Sequence, residues 1–200
     1  MHLYLATNNP DKQREITRIL FPYRIILPKD AGIEYHAEET GSSYLENALI
    51  KARALFSRVK SPVIADDTGL SCDFLNGAPG VFSARFAGEN ATYESNRKKL
   101  MELARKFPET ERTAHFITVA VLYLGENEYF YFEGKVDGII LTEERGEGGF
   151  GYDPIFYYPP MKMTFAEMSE EVKNSVSHRY RAFKKLKEFL DNFYEKGNLS

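Results

Sequence analysis

The feature that most restricts this chain is a pair of long strand-like segments, 113–124 and 129–141, separated only by Gly125-Glu126-Asn127-Glu128. Both runs are rich in β-branched and aromatic residues. So short a connection joins antiparallel strands, because a parallel pair needs a crossover of roughly a dozen residues or more. A long antiparallel hairpin is therefore expected as the spine of a sheet, with His115 packed within it.

Other segments supply further strands and the helices to cover them. Leu3 to Ala6 reads as a strand and Thr7-Asn8-Asn9 as a tight polar loop. Asn9 is then the N-cap of a helix that has Pro10 at its first position and Ile16, Ile19 and Leu20 on one face. Arg24 to Leu27 reads as a second short strand. Ser43-x-x-Glu46 is a capping box, followed by a helical stripe of Leu45, Ala48, Leu49, Ala52, Leu55, Phe56 and Val59. Thr92 to Phe107 reads as a third helix, and a last one, opening after 173–178, carries Phe183, Leu186, Leu190 and Phe193 at helical spacing.

Two hundred residues suffice for one substantial domain or two closely packed lobes sharing a sheet. Cys72 is the only cysteine, so no intrachain disulfide can form. The longest apolar run, 119–124, is far short of the roughly 20 residues of a membrane-spanning helix. The first residues enter a strand pattern without a basic leader, which predicts a cytoplasmic protein with no membrane partner. A net charge of −3 gives no general attraction to nucleic acid. Between Lys173 and Lys196, however, seven Lys and Arg stand against three acidic residues, a basic segment facing an acidic remainder. That distribution suits a small anion better than a long polyanion.

Three stretches carry candidate chemistry. In Pro62-Val63-Ile64-Ala65-Asp66-Asp67-Thr68-Gly69-Leu70 a short buried strand is expected to run out at two consecutive carboxylates, with Leu70 to Phe74 as a separate strand. Neighbouring strand residues point to opposite faces, so one Asp works while the other supports; a solvated acidic turn fits the isolated pair as well. The 7–12 loop, opening a helix with Lys12 in its first turn, fits a phosphate seat, and equally an ordinary turn with a solvated lysine. Lys51 lies off the apolar stripe of its helix, where most lysines are solvated, and Glu46 is more a cap than a catalyst. Glu38 and Glu39 precede that helix, and a loop carboxylate beside a strand-end Asp is one way of holding Mg²⁺. Gly146-x-Gly148-x-x-Gly151 matches the dinucleotide fingerprint only formally, because Asp153-Pro154 leads into a strand-like run rather than a helix. The glycines do permit close approach of a flat ligand, with Phe150 as a stacking face. Finally, Ser177-His178-Arg179 places cations at a helix N-terminus, against the macrodipole, which calls for another justification such as donors aimed at a ligand carbonyl.

Taken together, Thr7-x-Asn9-x-x-Lys12, Glu39, Ala65-Asp66-Asp67-Thr68-Gly69-Leu70, Gly149-Phe150-Gly151-Tyr152-Asp153-Pro154 and Ser177-His178-Arg179 resemble the signatures of the inosine/xanthosine triphosphate pyrophosphatase family, in order along residues 3 to about 190. Asn8 stands where glycine is frequent in that family. The resemblance implies an α/β fold, a long twisted mixed sheet flanked by helices in two lobes with a central cleft, the whole of 1–200 being one domain without a linker. It implies Mg²⁺-dependent hydrolysis of deaminated purine nucleoside triphosphates to a monophosphate and pyrophosphate, usually by a homodimer. By the same resemblance Thr7, Asn8, Asn9, Pro10, Asp11 and Lys12, with Lys51, hold the triphosphate, and Glu39 and Asp67 bind Mg²⁺. Asp67 is the catalytic base supported by Asp66. Thr68 contacts substrate, Phe150, Gly151, Tyr152 and Asp153 frame the base, and Lys173, His178 and Arg179 read its oxygen. The competing expectations are a non-catalytic nucleotide- or RNA-binding module and a related pyrophosphatase for other modified nucleotides.

Overall fold

A computed structural model describes residues 2–126 and 128–195. In chain order the elements are β1 (Leu3–Leu5), α1 (Pro10–Ile19), β2 (Ile25–Ile26), α2 (Tyr44–Val59), β3 (Val63–Cys72), β4 (Pro79–Gly80), α3 (Tyr93–Ala104), β5 (Thr113–Gly125), β6 (Glu128–Ile140), β7 (Phe156–Tyr158), β8 (Met163–Thr164), α4 (Glu170–Val176) and α5 (His178–Glu195), with short 3₁₀ turns among them. The strands hydrogen-bond in the order β2-β1-β3-β5-β6-β7-β8, and β4 pairs with β3. β1 is parallel to both β2 and β3, whereas β3–β4, β6–β7 and β7–β8 are antiparallel, so the sheet is mixed as expected. The expected hairpin is β5–β6, thirteen residues in each strand. Among the described residues no helix is long and apolar enough to cross a membrane.

The chain forms two compact units, one of Met1–Asp67, Thr118–Gly134 and His178–Ser200, the other of Thr68–Ile117 and Lys135–Ser177. In the first unit the period-2 alternation of each strand feeds two cores. Leu3, Leu5, Ile64, Ala120 and Leu122 pack with Ile16 and Leu20 of α1 and with Phe183, Leu186 and Leu190 of α5. Ala6, Val63, Ala65, Val119 and Val121 pack with Ala48, Leu49, Ala52 and Leu55 of α2. Strands buried on both faces read as continuous apolar runs, which is why 119–124 shows no polar alternation. Each fully buried Leu, Ile or Phe contributes about 1.5–3 kcal/mol relative to exposure. Gly134 of β6 permits the close approach of α5: a Cβ there would strike the His178 carbonyl and crowd the Ala182 amide.

The second unit has one core, in which Leu100 and Ala104 of α3 meet Leu70, Cys72, Phe116, Val136, Ile140, Phe156 and Phe165. The Phe116 and Phe156 rings lie 4.6 Å apart and those of Phe156 and Phe165 4.9 Å.

Several boundaries differ from expectation. β3 does not run out at the Asp pair but continues to Cys72, absorbing most of the run expected as a separate strand. A strand can carry two buried carboxylates when each has a cationic partner, as both have here. β2 is only Ile25–Ile26. Lys173 lies ahead of the final helix as expected, but on a short helix of its own, α4, and His178 is the first residue of α5. After Gly151 the chain makes a 3₁₀ turn, Asp153–Ile155, and enters β7, so no helix opens on the glycines.

Candidate active site

Asp66 and Asp67 follow the alternation of β3. Asp66 continues the Ile64 register toward α1 and α5, and Asp67 continues the Val63 and Ala65 register toward α2. Asp66, fully buried, meets Lys12 Nζ at 3.0 Å, and Arg179 Nε lies 3.8 Å from the same oxygen. Arg179 is held in turn by Glu15, 2.6 Å from Nη1 to Oε2. On the other face Asp67 Oδ1 meets Lys51 Nζ at 3.3 Å and Asp67 Oδ2 accepts from Asn47 Nδ2 at 3.3 Å. Lys51 Nζ also donates to Glu39 Oε1 at 2.8 Å.

The two carboxylates therefore have opposite proton affinities. Burial alone would push Asp66 up, but the charges of Lys12, Arg179 and Lys51 overcome it and hold its carboxyl well below the usual carboxylate range. For Asp67 burial wins: Lys51 and Lys12 offset it only in part, Glu39 and Asp66 add repulsion, and the carboxyl is raised. A raised carboxyl is the better proton acceptor. A permanently ionised one is a fixed counter-charge.

Lys51 is buried at 8 % exposure, so the expectation that its position off the stripe leaves it solvated is corrected. Three carboxylates, Asp67, Asp66 and Glu39, outweigh the burial cost and raise its pKa. Asn47, one turn before Lys51, lies on the same face of α2. Its side chain is oriented by the Gly41 amide, which donates to Oδ1 at 2.8 Å. Local pattern does not single out Asn47, Glu15 or Tyr35, although the i, i+4 spacing of Asn47 and Lys51 puts both on one face of α2. Glu46 is the cap that was expected, except that it accepts from the Ser42 amide and hydroxyl, while Ser43 Oγ accepts from the Glu46 amide.

The 7–12 loop is organised by its own side chains. Asn9 Oδ1 accepts from the amides of Asp11 (2.9 Å) and Lys12 (3.2 Å), and Thr7 Oγ1 accepts from the Asn9 amide at 3.2 Å. The expected cap and the Pro10 start are both present. Because Asn9 takes two of the first-turn amides, the positive charge at this end of α1 is concentrated on Lys12. Asp11 pairs on the surface with Arg14, and Asn8 is exposed, with φ outside the left-handed region.

The Glu39 and Asp67 carboxylates converge on a single ammonium, an arrangement that fits a shared cation. Among the described residues no group of three or more His, Cys, Asp or Glu side chains gathers as a metal cage. Mg²⁺ needs none, since it takes one or two carboxylates beside substrate phosphates and water.

In the second unit Asp153 Oδ2 accepts from the Phe150 amide at 2.8 Å and from Lys173 Nζ at 2.7 Å, and Lys173 Nζ stands 4.7 Å from the centre of the Phe150 ring. Tyr93 lies beside that ring at 6.0 Å. Gly149, at φ +70°, permits the turn: a Cβ there would collide with the Asp153 carboxylate. Tyr152 turns its ring into the core and donates to the Ser83 carbonyl at 2.8 Å, which anchors the loop, and Arg97 donates to the Gly151 carbonyl at 3.0 Å. Thr68 is half-buried on β3. The structure thus gathers Thr7 to Lys12, Glu39, Lys51, Asp66, Asp67 and Arg179 in the first unit, and Phe150, Asp153 and Lys173 in the second. His178, buried, opens α5 immediately before Arg179.

The model of the Ham1 family matches residues 3–189. A dITP/XTP pyrophosphatase of Thermoanaerobacter pseudethanolicus is 49% identical over 192 residues, 95% of this chain and 96% of that one. One from Treponema denticola is 45% identical over 193 residues, 95% and 98% of the two chains. The structure of a HAM1 protein from Coxiella burnetii superposes with a TM-score of 0.87 at 38% identity, covering 96% of this chain and 99% of that one.

Proposed function

Since the chain belongs to the Ham1 family, we propose that it hydrolyses deaminated purine nucleoside triphosphates, dITP, XTP and ITP, between the α and β phosphates, giving the monophosphate and pyrophosphate. The observation that carries this is the division of labour between Asp66 and Asp67, one held ionised by Lys12 and Arg179, the other raised in proton affinity beside Lys51. Attack of water on a phosphate needs a base, a cationic cradle for the tail and stabilisation of charge on the leaving pyrophosphate.

On this reading Asp67 accepts the proton of the attacking water, and Asp66 keeps Lys12 in position. Glu39 and Asp67 hold Mg²⁺, which when bound polarises the phosphates and neutralises the charge that builds on the leaving group. Lys51, which bridges Glu39 and Asp67, would add its charge to the cradle for the phosphates. Thr7, Asn8, Asn9 and the start of α1 orient the tail. Phe150 offers a flat face to the base, and the Asp153–Lys173 pair fixes that face. Donors of Lys173, His178 and Arg179 suit a 6-keto oxygen and disfavour an adenine amino group, a discrimination that reaches on the order of 10⁴ where buried donors would be left unpaired.

The test is a nucleotide panel with product identification. With Mg²⁺ the protein is expected to release pyrophosphate from ITP, dITP and XTP far faster than from ATP. Equal rates on all of them would overturn the substrate assignment, and orthophosphate as the sole product would overturn the bond assignment.

A further inference from the structure

A groove of about 730 Å³ in the first unit adjoins the phosphate loop and is used by no step above. It is lined by Asn8, which precedes the N-cap residue Asn9 of α1, and by Tyr35. Tyr35 feels the charges of Lys51, Glu39 and Asp66. Lys29, on the 3₁₀ turn Pro28–Ala31, and Arg58, in the last turn of α2, line it as well, together with His36 and a single carboxylate, Glu34. Lys29 and Arg58 make no side-chain hydrogen bond or ion pair with another described residue. That sets them apart from Lys12 and Lys51, which are both matched by buried carboxylates.

We infer that this groove is a second anion subsite, which receives inorganic pyrophosphate as it leaves the triphosphate seat. The inference rests on the hydrolysis proposed above. Pyrophosphate is the distal part of the triphosphate and carries several negative charges, so it leaves most readily along a path whose cations are not already neutralised. Asn8 is common to the loop and the groove, which makes the path continuous. Tyr35 suits the junction: burial pushes its hydroxyl up to about 12, so it stays protonated and donates a hydrogen bond to a phosphate oxygen. The open form of the groove suits brief residence and release better than tight storage.

The experiment uses the full chain and the double variant Lys29→Ala/Arg58→Ala, with two readouts. Product inhibition of ITP hydrolysis by added pyrophosphate is measured alongside KM and kcat, and pyrophosphate with Mg²⁺ is titrated calorimetrically onto nucleotide-free protein. The expected result is an inhibition constant weakened about tenfold, with KM and kcat held within about twofold and the calorimetric affinity reduced in parallel. An unchanged inhibition constant overturns the inference. So does an equal rise in KM and inhibition constant, which would make the groove part of the substrate seat, and so does loss of binding for IMP rather than pyrophosphate. Calorimetry needs no turnover: a chain that hydrolyses no nucleotide overturns the proposed function, whereas wild-type protein that binds no pyrophosphate overturns the subsite.

Discussion

Asp66 and Asp67 are consecutive in one strand, yet Asp66 binds Lys12 at 3.0 Å and Asp67 binds Lys51 at 3.3 Å, on opposite faces of the sheet. The pleat sorts two identical side chains into different electrostatic environments, and their isosteric amides should fail in different ways.

Asp67→Asn removes the proton acceptor and is expected to lower kcat by about 10²–10⁴-fold while the melting temperature stays near that of the parent. Asp66→Asn leaves the half-buried Lys12 without its counter-charge and buried Arg179 with Glu15 alone, and is expected to cost about 3 kcal/mol of stability. Kinetics and chemical denaturation of both variants decide it. If Asp67→Asn keeps near-normal turnover, another group is the base.

Chelation should separate catalysis from folding. EDTA is expected to abolish pyrophosphate release without moving the melting temperature, because among the described residues no cage of protein ligands ties the fold to a metal. Glu39→Gln should raise the Mg²⁺ concentration needed for half-maximal rate. A melting temperature that drops on chelation would show a structural metal instead.

The glycine loop offers a paired comparison. Gly149→Ala drives a methyl into the Asp153 carboxylate that holds Phe150 and Lys173, and a KM for ITP raised about tenfold or more is expected. At Gly151 φ is +63° but nothing lies within 4 Å of a new Cβ, so Gly151→Ala should cost only the backbone strain, about 1–2 kcal/mol. Equal KM effects in the two variants would remove Asp153 from base binding.

Cys72 reports on alkaline stability. Burial first, and Asp73 second, push its thiol up to about 12, and burial raises Tyr152 as well. A group raised in the folded state leaves stability intact below its unfolded pKa, about 9 for the thiol, and stability falls as pH climbs from there toward 12. Denaturation midpoints should therefore fall between about pH 8 and about pH 10, and less steeply in Cys72→Ala. Iodoacetamide should label Cys72 only on unfolding; rapid labelling of native protein would contradict its burial.

Much of this was legible in the chain. The β5–β6 hairpin followed from two long runs and a short connection, α1 from Asn9 and Pro10, and the opposed Asp pair from the pleat. The burial of Lys51 is not visible locally, because it depends on Glu39 and Asp67, 12 and 16 residues away. Glu15 could not be foreseen, since its partner Arg179 is 164 positions distant and nothing in the first helix marks it as a counter-ion. The length of β3 was underestimated because two aspartates ordinarily end a strand, and only their cations, on α1, α2 and α5, let it continue.

The chain passes from one compact unit to the other four times, so neither is a continuous stretch of sequence. Arg179, arriving on the last helix, completes the charge balance around a carboxylate laid down more than a hundred residues earlier. A ribosome that has released only β1 to β6 holds Lys12 and Asp66 but not the guanidinium that braces them, nor the Phe183, Leu186 and Leu190 wall behind α1. The charge balance around Asp66 and the wall behind α1 are therefore both completed late in synthesis, by the same helix.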